Sequence, residues 1–410
     1  RSISDYICIS EGDIGMSLPL ATSTWDDEEY AAIQRVIESD RFSMGPEVEA
    51  FEKQFADFFG AKYAIMSNSG SSANLLAVAG MIYAKGIDLN PGDEVLVPAV
   101  SWSTTYFPVH QYGLSMRFVD IDEETLNIDI DAIEDAITEK TKMIFCVNLL
   151  GNSVDYPRLL ALAEKHNLYV IEDNCESLGA TIDGKQAGTF GLAGTFSSFF
   201  SHHISTMEGG VTVTDDEELY HVMLSLRAHG WTRNLPKENH VVAKSDDPFM
   251  ESFRFVLPGY NLRPLEMSGA IGQAQLRKVN GIIEGRRANA TVFQEVMREL
   301  PEIQIQKEVG ASSWFGFSIV LPDWCDRGPV LDALRDAGVE TRPIVAGNFT
   351  LNPVIEHINH SIYGDLRAAN RIHNQGFFVG NHHYDITEQL NEFKRILKQC
   401  LDAQRPASND

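Results

Sequence analysis

Apolar residues recur at helical spacing in the first well-patterned stretch of the chain. Across residues 25–40, Ala31, Ile33, Val36 and Ile37 repeat at intervals that put them along a helix. Residues 46–59 repeat the pattern and stop at Gly60, a residue suited to closing a helix. From Lys62 the text changes. Short apolar runs at 63–66, 94–98, 116–120, 143–147 and 168–172 predict strands, residues 71–83 predict a helix, and further helical patterns fall between the strands. That alternation predicts a largely parallel sheet wrapped by helices on both faces. Ligands of such sheets sit at the carboxyl ends of strands, near helix N-termini.

The pattern changes again after Gly259-Tyr260-Asn261. Residues 265 to 300 read as one strong helix. A small α+β segment follows, with strands expected at 303–306 and 315–321 and helices at 330–337 and 386–401. A domain boundary is expected near residue 270, giving a large domain over 16–270 and a small C-terminal domain over 271–410. Residues 1–15, before Met16, read as an extraneous leader. There are no internal repeats, and the only biased segment is the polar tail over 403–410.

The totals narrow the function class. The chain has 410 residues, enough for two domains. A net charge of −25 argues against nucleic acid, whose phosphates need basic patches, but leaves room for a nucleotide held by a few arginines. No apolar run is long enough to span a membrane. Cys8, Cys146, Cys175, Cys325 and Cys400 are odd in number and widely spaced, which reads as free thiols in a reducing cytoplasm, with no metal or iron–sulfur spacing.

Four stretches could carry chemistry. Ser67-Asn68-Ser69-Gly70-Ser71-Ser72-Ala73-Asn74 joins a predicted strand to a predicted helix, so its small residues suit either an anion at a helix N-terminus or a plain N-cap turn. Glu172, Asp173 and Glu176 end a predicted buried strand. They suit a metal or salt-bridge cluster, or a partner for a protonated ring nitrogen. Trp102 follows the strand at 94–98, where an aromatic either stacks on a ring or fills the core. Arg233 and Arg342 are candidates for a diphosphate or carboxylate, and equally for surface salt bridges.

The stretch from Gly194 to Gly210 organises the rest. A short apolar strand leads into a polar turn carrying His202 and His203, and then into two glycines that let the backbone approach something closely. This stretch resembles the cofactor-anchoring segment of the pyridoxal-phosphate sugar aminotransferases, the family named for DegT, DnrJ, EryC and StrS. The likeness runs over nearly the whole chain from Ser17. It implies fold type I: an α/β large domain with a mostly parallel mixed sheet between helices, plus a smaller C-terminal α+β domain. It also implies that Gly70, Ser71 and Ser197 contact the cofactor phosphate, that Trp102 stacks on the ring, and that Asp173 pairs with the ring nitrogen. Asn261 resembles the family asparagine that reaches the phosphate from a neighbouring subunit, which implies a homodimer with shared sites.

The family carries a lysine in this segment, and here no lysine lies between Lys185 and Lys237. Matching the flanking Gly-Thr and Glu-Gly-Gly without a gap puts His202 at that position; anchoring on Ser198-Phe199 alone puts His203 there. Glu176 stands where the aminotransferases usually have Gln or His. Both departures resemble the family's deoxysugar 3-dehydratases. The resemblance therefore implies pyridoxal or pyridoxamine 5′-phosphate bound non-covalently, His202 as the proton carrier, and a GDP-linked 4-keto-6-deoxy sugar that loses its C3 hydroxyl, with L-glutamate as amino donor. A related 3-dehydrase holds an iron–sulfur cluster on cysteines after the histidine. No cysteine lies between Cys175 and Cys325 here, so no iron–sulfur reductase is expected. Two rivals remain: an aminotransferase using another lysine, and a non-catalytic pseudoenzyme of the same fold.

Overall fold

The protein is described from a computed structural model, which covers residues 17–406; the leader expected over 1–15 lies outside them. Helices α1 (Asp27–Ser39) and α2 (Pro46–Phe59) open the chain. Asp26 and Glu29 form a reciprocal capping box at the start of α1, and Pro46 follows Gly45 at the start of α2.

The strand–helix alternation then builds most of an eight-stranded sheet. In order come β1 (Tyr63–Ser67), α3 (Gly70–Tyr83), β2 (Glu94–Pro98), α4 (Ser103–Gln111), β3 (Ser115–Val119), α5 (Ile130–Ala136), β4 (Thr141–Val147), α6 (Tyr156–His166) and β5 (Tyr169–Asp173). A two-strand ribbon, β6 (Thr181–Ile182) and β7 (Lys185–Gln186), precedes β8 (Ala193–Ser197) and β9 (Gly210–Thr214). Helices α7 (Glu217–Arg227), α8 (Pro248–Glu251) and α9 (Glu266–Met297) follow. The remainder is β10 (Gly316–Val320), α10 (Arg327–Asp336), β11 (Thr341–Arg342), β12 (His360–Ile362), α11 (Arg367–Gln375), β13 (Gly376–Gly380) and α12 (Thr387–Gln404).

The large sheet has the order β1-β9-β8-β5-β4-β2-β3-β12. Within it β9 alone runs against its neighbours, and every other pairing is parallel. The central strands β2, β4, β5 and β8 are buried almost throughout, as a sheet covered on both faces requires.

The 32-residue α9 belongs to both cores. Its first half packs on α1 and α2, where Gly269 lies against the Val48 backbone. Its second half contributes Ala290, Phe293 and Met297 to a cluster with Trp314, Phe317, Phe377 and Phe393 around the three-stranded sheet β10-β13-β11. Residue 270 falls in the first turns of this helix, and β12, far beyond it, returns to the large sheet beside β3. The strand expected at 303–306 does not form a ladder. Gln304 bridges Val320 alone, and the Gln306 side chain instead donates to the carbonyls of Thr125 (2.8 Å) and Leu149 (3.1 Å).

Candidate active site

The carboxyl edge of the parallel strands collects most of the residues singled out in the sequence. β5 ends at Asp173, β8 ends at Ser197, and α3 starts at Gly70 just after β1. Ser69 caps α3, accepting the Ser72 N–H at 3.1 Å. The N–H groups of Gly70 and Ser71 lie in the first turn, where no helical carbonyl can reach them. Gly70 also sits tightly against β8: a Cβ there would meet the Cβ of Ser197 at 2.6 Å. Gly210 allows the matching approach from β9, since a Cβ on it would lie 2.2 Å from the Ser69 carbonyl oxygen. Gly70, Ser71 and Ser197 therefore form one small, backbone-lined cradle.

The three carboxylates at the end of β5 have separate fates. Glu172 is fully buried and accepts the N–H groups of Gly188, Phe190 and Gly191 at 2.5, 2.5 and 2.6 Å, so it ties a loop to the sheet. Asp173 is 5% exposed. Its Oδ2 accepts Asn74 Nδ2–H (2.8 Å) and Thr105 Oγ–H (2.7 Å), and its Oδ1 accepts the Cys175 N–H (3.1 Å). Glu176 accepts the Leu150 N–H at 3.0 Å. Burial, and secondarily the charge of Asp173, pushes its carboxyl up to about 7 despite that bond.

His202 and His203 part company in the turn after β8. His203 is fully buried, and its Nε2–H donates to the Ser313 carbonyl at 3.0 Å. His202 is partly exposed; its Nδ1 is buried without a partner, which leaves Nε2 for the open side. Its ring lies 5.1 Å from that of Phe315. Burial, with the charge of Arg286 adding to it, holds the imidazole down at about 4. Below the pair, Ser205 anchors the turn. Its N–H donates to Gln275 Oε1 and its carbonyl accepts Trp25 Nε1–H, both at 2.9 Å.

Four predicted residues make no side-chain hydrogen bond to this cluster among the described residues, although their neighbours reach it: Ser71 Oγ–H donates to Thr104 Oγ1 at 2.9 Å, just after Trp102, and the Asn68 N–H donates to the Leu262 carbonyl at 3.0 Å, just after Asn261. Trp102, the residue before α4, is 59% exposed, so it is not a core tryptophan. Asn261 is exposed and accepts Arg263 Nε–H at 3.0 Å. Arg233 lies over the rings of Trp231 and Phe253 and donates to the Ser252 carbonyl at 3.0 Å; among the described residues it makes no salt bridge. Arg342 is exposed on β11.

The profile of the DegT/DnrJ/EryC1/StrS aminotransferase family matches residues 23–395. The chain belongs to this family. Like other structures of the family, it has the aminotransferase fold of type I, with the mixed sheet described above. A GDP-4-keto-6-deoxy-D-mannose 3-dehydratase of Yersinia pseudotuberculosis is 56% identical over 390 residues, 94% of this chain and 99% of that one. The enzyme of the same name from Escherichia coli O55:H7 is 52% identical, over 93% of this chain and 100% of its own. A crystal structure of GDP-4-keto-6-deoxymannose-3-dehydratase with a trapped PLP-glutamate geminal diamine superposes with a TM-score of 0.92 at 51% identity, covering 93% of this chain and 100% of that chain.

Sequence reasoning placed Asn74 only in the Ser67–Asn74 loop, without its role, and missed Thr105; both orient Asp173. Asn74 had a readable signal: it is a buried amide inside the otherwise apolar run Ala73 to Met81. Arg286, behind His202, was also missed, and nothing in its local spacing marks it.

Proposed function

We propose that this chain removes the C3 hydroxyl of GDP-4-keto-6-deoxy-D-mannose, using pyridoxamine 5′-phosphate that L-glutamate regenerates from the pyridoxal form. The observation that carries the reading is His202. A neutral imidazole with an unpartnered ring nitrogen follows β8, at the position that the ungapped family match gives to the lysine and on the same carboxyl edge of the sheet as Asp173 at the end of β5. The two 3-dehydratases above share more than half of its residues.

The residues fit the cofactor. The Gly70–Ser197 cradle has room for no side chain on Gly70, and first-turn N–H groups attract a phosphate. When bound, the cofactor supplies a primary amine for the C4 ketone and a ring that accepts electrons. Gly70, Ser71 and Ser197 would hold its phosphate, and Trp102 would cover the ring face. Asp173, kept in place by Asn74 and Thr105, would hold a proton on the ring nitrogen. Glu176, poised near neutrality, would share a proton with the ring hydroxyl. His202 Nε2 would take a proton and return it to the departing C3 hydroxyl. With no lysine at 202, the cofactor stays non-covalent. Arg233 and Arg342 are the proposed anchors for the diphosphate or for the glutamate carboxylate.

A second copy completes the site in this reading. Asn261 is exposed, with its Oδ1 accepting from Arg263, and Phe249, Met250, Phe253, Phe255 and Leu265 expose apolar surface on the same connecting region. The proposed setting is the reducing cytoplasm, in line with the free thiols of Cys146, Cys175, Cys325 and Cys400.

Incubation with GDP-4-keto-6-deoxymannose, glutamate and pyridoxal phosphate tests the function. Mass spectrometry should find a ketosugar short of one oxygen, with equimolar ammonia and 2-oxoglutarate. A 4-amino sugar without ammonia would make the chain an aminotransferase, and bound cofactor without turnover would make it a pseudoenzyme.

A further inference from the structure

We propose that Arg286 is a positioning residue for the reaction at His202: its buried, unneutralised charge, reaching the imidazole side through Phe315, adds to burial in keeping that ring free of a proton. The inference deepens the reading above and rests on it. Arg286 lies in α9 and is 5% exposed. Its Nη1–H donates to the Phe315 carbonyl at 2.9 Å, and its Nε–H is buried without an acceptor. Burial alone bears on its own ionisation, lowering it to about 10, so the group is still charged at neutral pH, and no carboxylate pairs with it among the described residues. A buried cation without a counter-ion is costly, and folds rarely keep one without a use for it.

Phe315 joins the arginine to the histidines. Its carbonyl takes the guanidinium, while its ring lies 5.1 Å from the His202 ring and 5.8 Å from the His203 ring. The other charged and titratable groups on this side are Arg287 of the same helix, and His382 and His383 after β13. The Arg287 guanidinium is spent on the carbonyls of Gly179, Ala311 and Ser312. Asp173 and Glu176 face the site from the end of β5, and neither is hydrogen-bonded to an imidazole. The imidazoles thus meet cations and no paired anion. His202, His203, His382 and His383 are all held below the ordinary histidine value, by burial first and by Arg286 next.

The chemistry gains in both directions. An unperturbed histidine is partly protonated near neutral pH, and that fraction cannot act as a base. Burial removes most of that fraction, and the like charge of Arg286 adds to the effect. Once His202 has taken a proton, the same repulsion makes the imidazolium a stronger acid, which suits return of the proton to the departing hydroxyl.

Imidazole signals of the isotope-labelled, cofactor-free protein provide the test, with His202 assigned by its loss in His202→Asn. In the wild type His202 should titrate well below its ordinary value; titration at or above about 6.5 overturns the proposal. In Arg286→Met the midpoint should rise while staying below the ordinary histidine value, because burial remains, and in Arg286→Lys it should stay near the wild-type value. The acid limb of kcat in the loaded enzyme should move in parallel. Arg286→Gln, which keeps a donor for the Phe315 carbonyl, is the second charge-free variant if the Met protein does not fold. An unmoved titration in a folded charge-free variant shows that Arg286 only packs. A moved titration in a chain without dehydratase activity sinks the proposed function and leaves this inference standing.

Discussion

The side-chain amide of Asn74 donates to Oδ2 of Asp173 at 2.8 Å, from one turn inside the helix that begins with Gly70 and Ser71. One rigid element therefore sets both the anion cradle at its own N-terminus and the orientation of the carboxylate on the neighbouring strand. Thr195 Oγ–H locks the other end of the same amide, donating to Asn74 Oδ1 at 2.5 Å. The two ends of the proposed cofactor, phosphate and ring nitrogen, are thereby held in a fixed relation by α3.

Replacing Asn74 with Ala removes that relation. Asp173 loses one of its donors and Thr195 is left with a weaker bond to the Glu172 carbonyl, at 3.2 Å. Leaving buried polar groups unpaired costs about 1–3 kcal/mol, so the cofactor-free variant should unfold at lower urea by that margin. Its affinity for pyridoxamine phosphate, read by fluorescence titration, should fall in parallel. Wild-type stability together with wild-type affinity would show the contact to be incidental.

A lysine at position 202 tests the role of the histidine from the opposite side. The cradle and Asp173 remain, so His202→Lys should become covalently linked to pyridoxal phosphate. Borohydride should then fix the cofactor to that variant and not to the wild type. Dehydration should drop by about 10²–10⁴-fold, the usual contribution of a positioned proton carrier. If dehydration survives and nothing is trapped, His202 does not face the cofactor. His203 is a poor substitute, since its Nε2–H is committed to the Ser313 carbonyl.

Much of this architecture was legible because the signals are local. The strands Glu94–Pro98 and Thr141–Val147 hold continuous apolar runs from Val95 to Pro98 and from Met143 to Val147, and α2 is bracketed by Pro46 and Gly60. What escaped depends on distant partners. β12 is three residues of half-polar text, and only its pairing with β3 makes it a strand. The segment at 303–306 has a strand's composition, yet its side chains bond across to Thr125 and Leu149. At the proposed site, the family's pattern pointed to Asp173 and His202. It did not point to Arg286, because the meaning of that residue comes from Phe315, which brings it to the imidazoles.

The proposed sharing of sites between two copies predicts complementation. Asn261→Ala and His202→Asn homodimers should each be nearly inactive. Unfolded and refolded together, they should yield hybrids in which one site has its own His202 and the partner copy's Asn261. With random pairing, half the dimers are hybrids and each has one intact site of two, so activity should return to about a quarter of wild type. If confirmed hybrids stay inactive, each site is built from one chain.

The ionisation of Glu176 predicts a pH-dependent stability of definite sign. Its folded value, about 7, lies above the ordinary 4.5, because burial and the nearby Asp173 charge favour the protonated form. A raised folded value means that the native state holds the proton more tightly than the unfolded chain. Its contribution to stability is present below about 4.5 and is lost as pH climbs toward 7. The histidines act in the opposite sense: His202 and His382 are depressed from 6.5 to about 4, so their contribution is present above 6.5 and fades as pH falls through that window. Glu176→Gln isolates the first effect, because Gln resembles the protonated acid in shape and never ionises. In cofactor-free protein, the Tm of the variant relative to wild type should therefore be higher at pH 8 than at pH 5. The histidine contribution is common to both proteins and cancels in that difference. An equal Tm difference at the two pH values would mean that Glu176 ionises in the folded protein as freely as in water, and its proposed proton-sharing with the cofactor would lose its basis.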